Sequence, residues 1–202
     1  MSRTGYSRTI RNWLLLGIVV LIVVAVDQLT KGWIVQNLAP GESLQPIPAL
    51  SRFFQITHSA NTGAAFGLLP QSGDLFVIIA PIIVLAMLYF YPRLPDGAWW
   101  TRIAIGLICG GALGNVIDRV RYEHVVDFIH YQLPGVISNV SNLADHAIVL
   151  GVIVVLLDSW RMERHQTQMQ SAEPDTSNIP DDAQPAGQTG PQKASHNSET
   201  PL

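Results

Sequence analysis

The sequence predicts an all-α integral membrane protein of four transmembrane helices, and three observations carry that reading. Of 202 residues, 48% are hydrophobic and only 13% are charged, about half the roughly 25% charge of an average soluble chain. The apolar residues fall in four continuous blocks. The formal net charge of −3 argues against a nucleic-acid partner.

The blocks are residues 13–26, 75–91, 98–117 and 143–160, the first prolonged by an amphipathic stretch through residue 35. Each extends to roughly 17 to 25 residues, the length a helix needs to cross the hydrocarbon core. They are continuously apolar and do not alternate, and a helix satisfies its own backbone hydrogen bonds in lipid. Arg3, Arg8 and Arg11 before the first block have the layout of a cleavable signal peptide. No small-x-small cleavage site follows Val24 and three further blocks come after it, so a retained helix is expected.

Arg3, Arg8, Arg11, Arg93, Arg102, Arg161 and Arg164 mark the cytoplasmic side by the positive-inside rule. Both termini are then inside, and residues 36–74 and 118–142 lie outside, where Lys31, Arg52, Arg119 and Arg121 weaken the bias. In the first outer segment, Pro40-Gly41, Pro46 and Pro48 precede a strand-like run at 53–57, which fits a small sheet resting on the membrane surface. Gly110, Gly111 and Gly114 in the third block allow close helix approach.

The membrane core is thus residues 1–165. Residues 166–202 are rich in Gln, Ser, Pro, Thr and Asn, hold five acidic residues against Lys193 alone, and are expected to form a disordered cytoplasmic tail. Cys109 is the only cysteine, which excludes an intrachain disulfide and a cysteine-rich metal site.

Ionisable side chains at span ends are costly to bury and mark function. Here they collect at one depth: Asp27 and Lys31, then Asn115, Asp118 and Arg119, then Asp127, then Asn142 and Asp145. Asp27 and Lys31 share a helix face and read as a supporting ion pair. Asn115 and Arg119 have the same spacing and fit either helix-end packing or substrate binding. Asp127 and Asp145 stand eighteen positions apart around Pro134-Gly135, so an antiparallel helix hairpin would bring their carboxylates together. Two carboxyls that share a proton supply the acid and the base that peptide hydrolysis needs without a metal, cofactor or nucleophilic serine. Against this stand a first-turn helix acid for Asp145 and a solvated loop carboxylate for Asp127.

Two other arrangements compete. His124, Asp127 and His130, with His146 as a fourth ligand, form a metal-like pattern, although no HExxH is present. A channel or transporter is the non-enzymatic alternative, but mid-depth polar residues and repeat halves are missing. No G-x-S-x-G elbow occurs, and Cys109 has no neighbouring base.

The sequence closely resembles the lipoprotein signal peptidases, or type II signal peptidases, over about residues 13–160. The resemblance rests on Asp27-Gln28-Leu29-Thr30-Lys31, on Asn61-Thr62-Gly63-Ala64-Ala65-Phe66-Gly67 and on Gly110-Gly111-Ala112-Leu113-Gly114-Asn115-Val116-Ile117-Asp118-Arg119. Val125-Val126-Asp127-Phe128 and Asn142-Leu143-Ala144-Asp145 complete it.

It implies a bacterial inner-membrane aspartyl endopeptidase with four transmembrane helices, cytoplasmic termini and a small periplasmic β-cradle after the first helix. It implies Asp127 and Asp145 as catalytic dyad and a prolipoprotein substrate, cut just before the diacylglyceryl-modified cysteine at the membrane lipid interface. It further implies that Asn61, Gly63, Asn115, Asp118, Arg119 and Asn142 bind substrate or support the site, that Asp27 and Lys31 support it, and that globomycin-type peptides inhibit it. No cofactor or metal is implied. Ser141 departs from the usual aromatic before the Asn, and His146 from the usual small residue after the second Asp.

Overall fold

The computed structural model describes residues 3–63, 73–133 and 135–172. Residues 64–67 of the glycine-containing motif, Pro134, and residues 173–202 of the expected tail lie outside the described residues.

Helix α1 runs over Arg3–Asn37, α2 over Gly73–Phe90, α3 over Trp99–Tyr122 and α4 over Leu143–Ala172. Strands β1 (Ser43–Leu44) and β2 (Phe54–Asn61) follow α1, while β3 (Val125–Leu133) and β4 (Ile137–Ser141) separate α3 from α4. The four strands form one antiparallel sheet in the order β1-β2-β3-β4. Among the described residues, α1, α3 and α4 each contain a stretch long and apolar enough to cross a membrane, and α2 with the 3-10 turn after it contributes a shorter apolar stretch over Ile78–Arg93.

One face of α1 organises the molecule. Leu16 and Val20 join Val84, Tyr91, Ile105 and Cys109 in an apolar cluster between α1, α2 and α3. Ile34, farther along the same face, and Leu38, just past the helix end, join Val126, Phe128 and Ile129 in a second cluster beneath the sheet. Asp27 and Lys31, both fully buried, lie between the two. The spacing of these six positions follows the helical repeat of three and four. The opposite face leaves Leu14, Ile18, Leu21, Ile22 and Leu29 exposed, as a bilayer-facing surface requires.

Helix α3 is the central element because its glycines let two neighbours close in. A Cβ at Gly110 would stand 2.7 Å from Val23 Cβ of α1, and one at Gly111 would stand 2.4 Å from the Ala144 carbonyl oxygen of α4. Small residues at helix contacts supply the van der Waals packing that replaces the hydrophobic effect inside lipid.

The structure corrects the expected elements in three places. Helix α3 continues through Tyr122, five residues past the apolar block that ends at 117; Glu123 ends it at φ 65°, with its N–H on Arg119 O at 3.0 Å. A β-hairpin joins α3 to α4, so Asp127 sits on a strand. Its first five residues, 125–129, are all buried, and a strand covered on both faces lacks the alternation by which strands are read. Helix α4 extends to Ala172, past the boundary placed at 166. Residues 165–172 are mostly Gln, Met, Ser and Ala without a proline, which costs little in a helix already nucleated.

Candidate active site

Two groups of polar side chains meet where α1, α3, α4 and the sheet converge. The first is an ion cluster. Lys31 Nζ lies 2.8 Å from Asp27 Oδ2 and 2.7 Å from Asp118 Oδ2, with all three residues buried. Every remaining acceptor on these carboxylates is also met. The Ala144 N–H, in the first turn of α4, donates to Asp27 Oδ1 at 3.0 Å. The Val126 N–H donates to Asp118 Oδ2 at 3.2 Å, and Gln28 Nε2 to Asp118 Oδ1 at 2.8 Å. Buried charges persist only when paired and hydrogen-bonded, and this cluster ties α1 to α3, to β3 and to the start of α4.

The second group holds the two other aspartates. Asp127 pairs in register with Ser59, and Asn61 is its diagonal neighbour on β2, close enough for side chains to meet. Asn61 Nδ2 donates to Asp127 Oδ2 at 2.8 Å, and the Gly63 N–H fixes the Asn61 amide by donating to its Oδ1 at 3.0 Å. Asn142 Nδ2 donates to Asp127 Oδ1 at 2.6 Å and reaches Asn115 Oδ1 at 3.1 Å. Asn115 Nδ2 in turn donates to Asp145 Oδ1 at 2.8 Å. A relay of two amides therefore joins Asp127 to Asp145. Lys31 touches the relay by donating to Asn115 Oδ1 at 3.0 Å.

Asp145 is also a helix-capping acid. Asn142 is the residue before α4; its Oδ1 accepts the Asp145 N–H at 2.9 Å, while the Asn142 N–H reaches back to Asp145 Oδ2 at 3.4 Å. This is the reciprocal arrangement of a capping box. The helix-end reading of Asp145 is thus met, and the same cap fixes the carboxylate that accepts from Asn115.

The two aspartates differ in environment. Asp127 is buried and Asp145 half-buried. Burial, and next the charge of Asp145, push the Asp127 carboxyl up from its ordinary 3.8 to about 7, against the lowering effect of the Asn61 and Asn142 hydrogen bonds. Arg119, half-buried, has its guanidinium within electrostatic reach of Asp145, Asp127 and Asp118 and places Nη1 3.5 Å from Asn115 O.

All ten residues singled out in the sequence, Asp27, Lys31, Asn61, Gly63, Asn115, Asp118, Arg119, Asp127, Asn142 and Asp145, belong to these two groups. Asp27 and Lys31 are more than a local pair, since Asp118 closes the cluster from another helix. Gln28 was assigned no role, although its position beside Asp27 at the depth of the other polar residues was the available signal. The histidine pattern is not assembled: strand alternation puts Asp127 and His130 on opposite faces of β3. His130 instead meets Thr57 Oγ1 and Ser138 Oγ. Among the described residues no three His, Cys, Asp or Glu side chains are grouped to hold an ion. His146 contacts Asn142 O through Nδ1 at 2.6 Å and Tyr131 Oη through Nε2 at 3.2 Å. Ser141 is buried in β4, opposite Ile129.

Apolar helices under a small antiparallel sheet, with buried carboxylates at the junction, define a class of membrane-embedded enzyme. A solved chain described as a bacterial membrane enzyme has the same fold, with a TM-score of 0.64 and 36% identity over 72% of this chain and 87% of that one. The family model for signal peptidase (SPase) II matches residues 19–161. The lipoprotein signal peptidase of Halothermothrix orenii is 38% identical over 147 residues, covering 73% of this chain and 96% of that protein. That of Bacillus subtilis is 36% identical over 152 residues, covering 73% and 97%. The chain belongs to the signal peptidase II family, and is a bacterial membrane protease of that family.

Proposed function

We propose that this protein is an aspartyl endopeptidase of the bacterial inner membrane, which removes the signal peptide from prolipoproteins just before the diacylglyceryl-modified cysteine. Asp127 and Asp145 are its catalytic pair. The observation that carries the reading is the amide relay, which joins the two carboxyls through the Asn142 and Asn115 side chains, in a chain of this family.

The chemistry follows from the pair sharing one proton. Burial makes Asp127 the favoured seat of that proton near neutral pH. A water between the carboxyls gives its proton to the ionised member and attacks the scissile carbonyl, while the protonated member donates to the carbonyl oxygen. The resulting tetrahedral centre collapses as the leaving amine takes up a proton, and the pair returns to one proton. Asn61, Asn115 and Asn142 orient the carboxyls, Gly63 holds Asn61, and Arg119 supplies positive potential beside the carboxyl pair, which keeps one negative charge throughout.

The reading includes four spans, with α2 as the fourth, and both termini in the cytoplasm. The sheet and the aspartates then lie at the periplasmic boundary, where a signal-peptide helix in the bilayer presents its cleavage point to water. Membrane depth selects the bond. Globomycin-type peptides are expected to occupy the same site.

The test is cleavage of a diacylglyceryl-modified precursor by purified protein in detergent. Asp127→Asn and Asp145→Asn should each lower the rate by about 10²- to 10⁴-fold, with helical content unchanged by circular dichroism and no effect of a chelator on the parent enzyme. Full activity in either variant overturns the pair, and loss of activity with EDTA favours a metal-assisted hydrolase.

A further inference from the structure

At the end of α1 away from the aspartates, basic side chains from separate parts of the chain converge on a cleft. It is lined by Arg8, Arg11, Asn12, Asp96, Trp99 and Arg102, has a volume of about 210 Å³, and adjoins a second cleft of about 280 Å³ that shares four of these residues. Three arginines and one aspartate line it. Arg8 and Arg11 lie three apart on α1 and so share a side of the helix, while Arg102 comes from α3.

The cleft has a rigid base. Arg102 is buried, donates to Leu94 O at 3.0 Å, and lies with its guanidinium carbon 5.0 Å from the centre of the Tyr91 ring. Tyr91, also buried, donates from Oη to Asn12 O at 2.6 Å, which locks α1 to the turn after α2. The rim is exposed. Arg8 holds Asp96 by a single contact of 3.2 Å between two largely solvent-accessible side chains, and Arg11 sits over the Trp99 ring at 5.5 Å. An exposed pair of this kind is weak and screened, so a stronger anion displaces it.

Depth identifies the anion. Arg8 precedes Asp27 by nineteen residues of continuous helix, about 28 Å of rise, which is close to the thickness of the hydrocarbon core. Trp13, Trp99, Trp100, Tyr89 and Phe90 are exposed around this end, and aromatic residues of this kind settle at headgroup level. Basic pockets between membrane helices at that level suit phosphate headgroups, and Leu14, exposed beside Trp13, continues an apolar surface for acyl chains.

We propose that this cleft is a binding site for the phosphodiester headgroup of an anionic phospholipid, in the leaflet opposite the aspartates. Arg8 and Arg11 bind the phosphate, Arg102 holds the site together and adds its charge, and Asp96 is the internal competitor that a lipid replaces. The site rests on the membrane-spanning reading of α1 and goes beyond the peptidase reaction.

The experiment is lipid retention by the full chain, measured by native mass spectrometry after titration with phosphatidylglycerol or with phosphatidylcholine of the same acyl chains. Phosphatidylglycerol should be retained preferentially. Arg8→Gln and Arg11→Gln should each weaken it about fivefold, and Asp96→Asn should strengthen it, with thermal melts confirming folded protein. Millimolar glycerol phosphate should not compete. Equal retention of the two lipids, an Arg8→Gln/Arg11→Gln double variant that binds like the parent, or full competition by glycerol phosphate would each overturn the proposal. Asp127→Asn should lose cleavage and keep the lipid, which separates failure of this site from failure of the catalytic reading.

Discussion

Two pairs of aspartates sit side by side in this molecule and are treated in opposite ways. Asp27 and Asp118 share a lysine at 2.7–2.8 Å, and each of their other oxygens accepts from a backbone or Gln28 donor. Asp127 and Asp145 are bonded to side-chain amides, with Lys31 reaching only the amide between them. The first pair has one lysine between its two carboxylates, with neutral donors completing the set, and binds four elements together. In the proposed reading the second exchanges a proton, so that the same residue type serves as scaffold where a lysine is bonded to it and as chemistry where side-chain amides are.

Lys31→Met breaks the comparison hardest. Removing the cation leaves two buried carboxylates facing each other, and breaking a buried ion pair from one side costs about 3–5 kcal/mol. The expected outcome is a large fall in thermal stability in detergent, with activity lost in step with folded protein. A Lys31→Met variant as stable as the parent would show that the cluster is not structural.

A pH titration of stability sharpens the contrast from the other side. The Asp127 carboxyl is raised from 3.8 to about 7 in the folded chain, so the native state prefers it protonated. Its contribution is complete below about pH 4 and is lost as the pH rises through 7, with an upper bound on the order of 4 kcal/mol. The parent should therefore lose stability between pH 4 and pH 8 by a component that Asp127→Asn lacks. Denaturation at several pH values, compared between the two, checks this. A parallel pH dependence in both proteins would remove Asp127 as the titrating group.

The sequence made the scaffold legible only in part, and for a physical reason. Asp27 and Lys31 are four residues apart on one helix, so local periodicity alone puts them together. Asp118 is far along the chain, and nothing local indicates that it completes the cluster. The antiparallel packing of α3 on α4 follows from the spans and returns the chain to one end of the bundle, whereas the strand that carries Asp127 is not legible, because the doubly buried half of β3 has no alternating pattern. The relay could not be read in advance at all: Asn61, Asn115 and Asn142 come from β2, α3 and the cap of α4, and only the folded geometry orders them between the carboxylates.

Gly114→Ala tests how tightly the scaffold is built. A Cβ there would stand 2.6 Å from Asp27 Oδ2 and 3.5 Å from Ala144 Cβ. The carboxylate is held by Lys31 and by the first turn of α4, so it has little room to retreat. Overpacking of this sort costs about 1–3 kcal/mol, visible as a lowered melting temperature. Any displacement of Asp27 also pulls on the start of α4, which carries Asp145, so the rate should fall along with stability. Unchanged stability would mean that the cluster yields and does not fix the helix.

His146→Ser is expected to have the smallest effect and so sets the outer limit of the functional group. His146 is exposed, next to Asp145 in sequence, and joined to Tyr131, which is itself exposed. Its Nδ1 shares the Asn142 carbonyl with the His146 backbone N–H at 3.4 Å, so losing the imidazole leaves that carbonyl with a donor, and Ser is compatible with the first helical turn. Exposed substitutions of this kind stay within about 0.5 kcal/mol. A pH–rate profile decides whether proximity has a further consequence. If only residues bonded into the relay tune the carboxyl pair, the profile of His146→Ser superimposes on that of the parent. A displaced limb would extend the group to a side chain that touches neither Asp127 nor the relay amides.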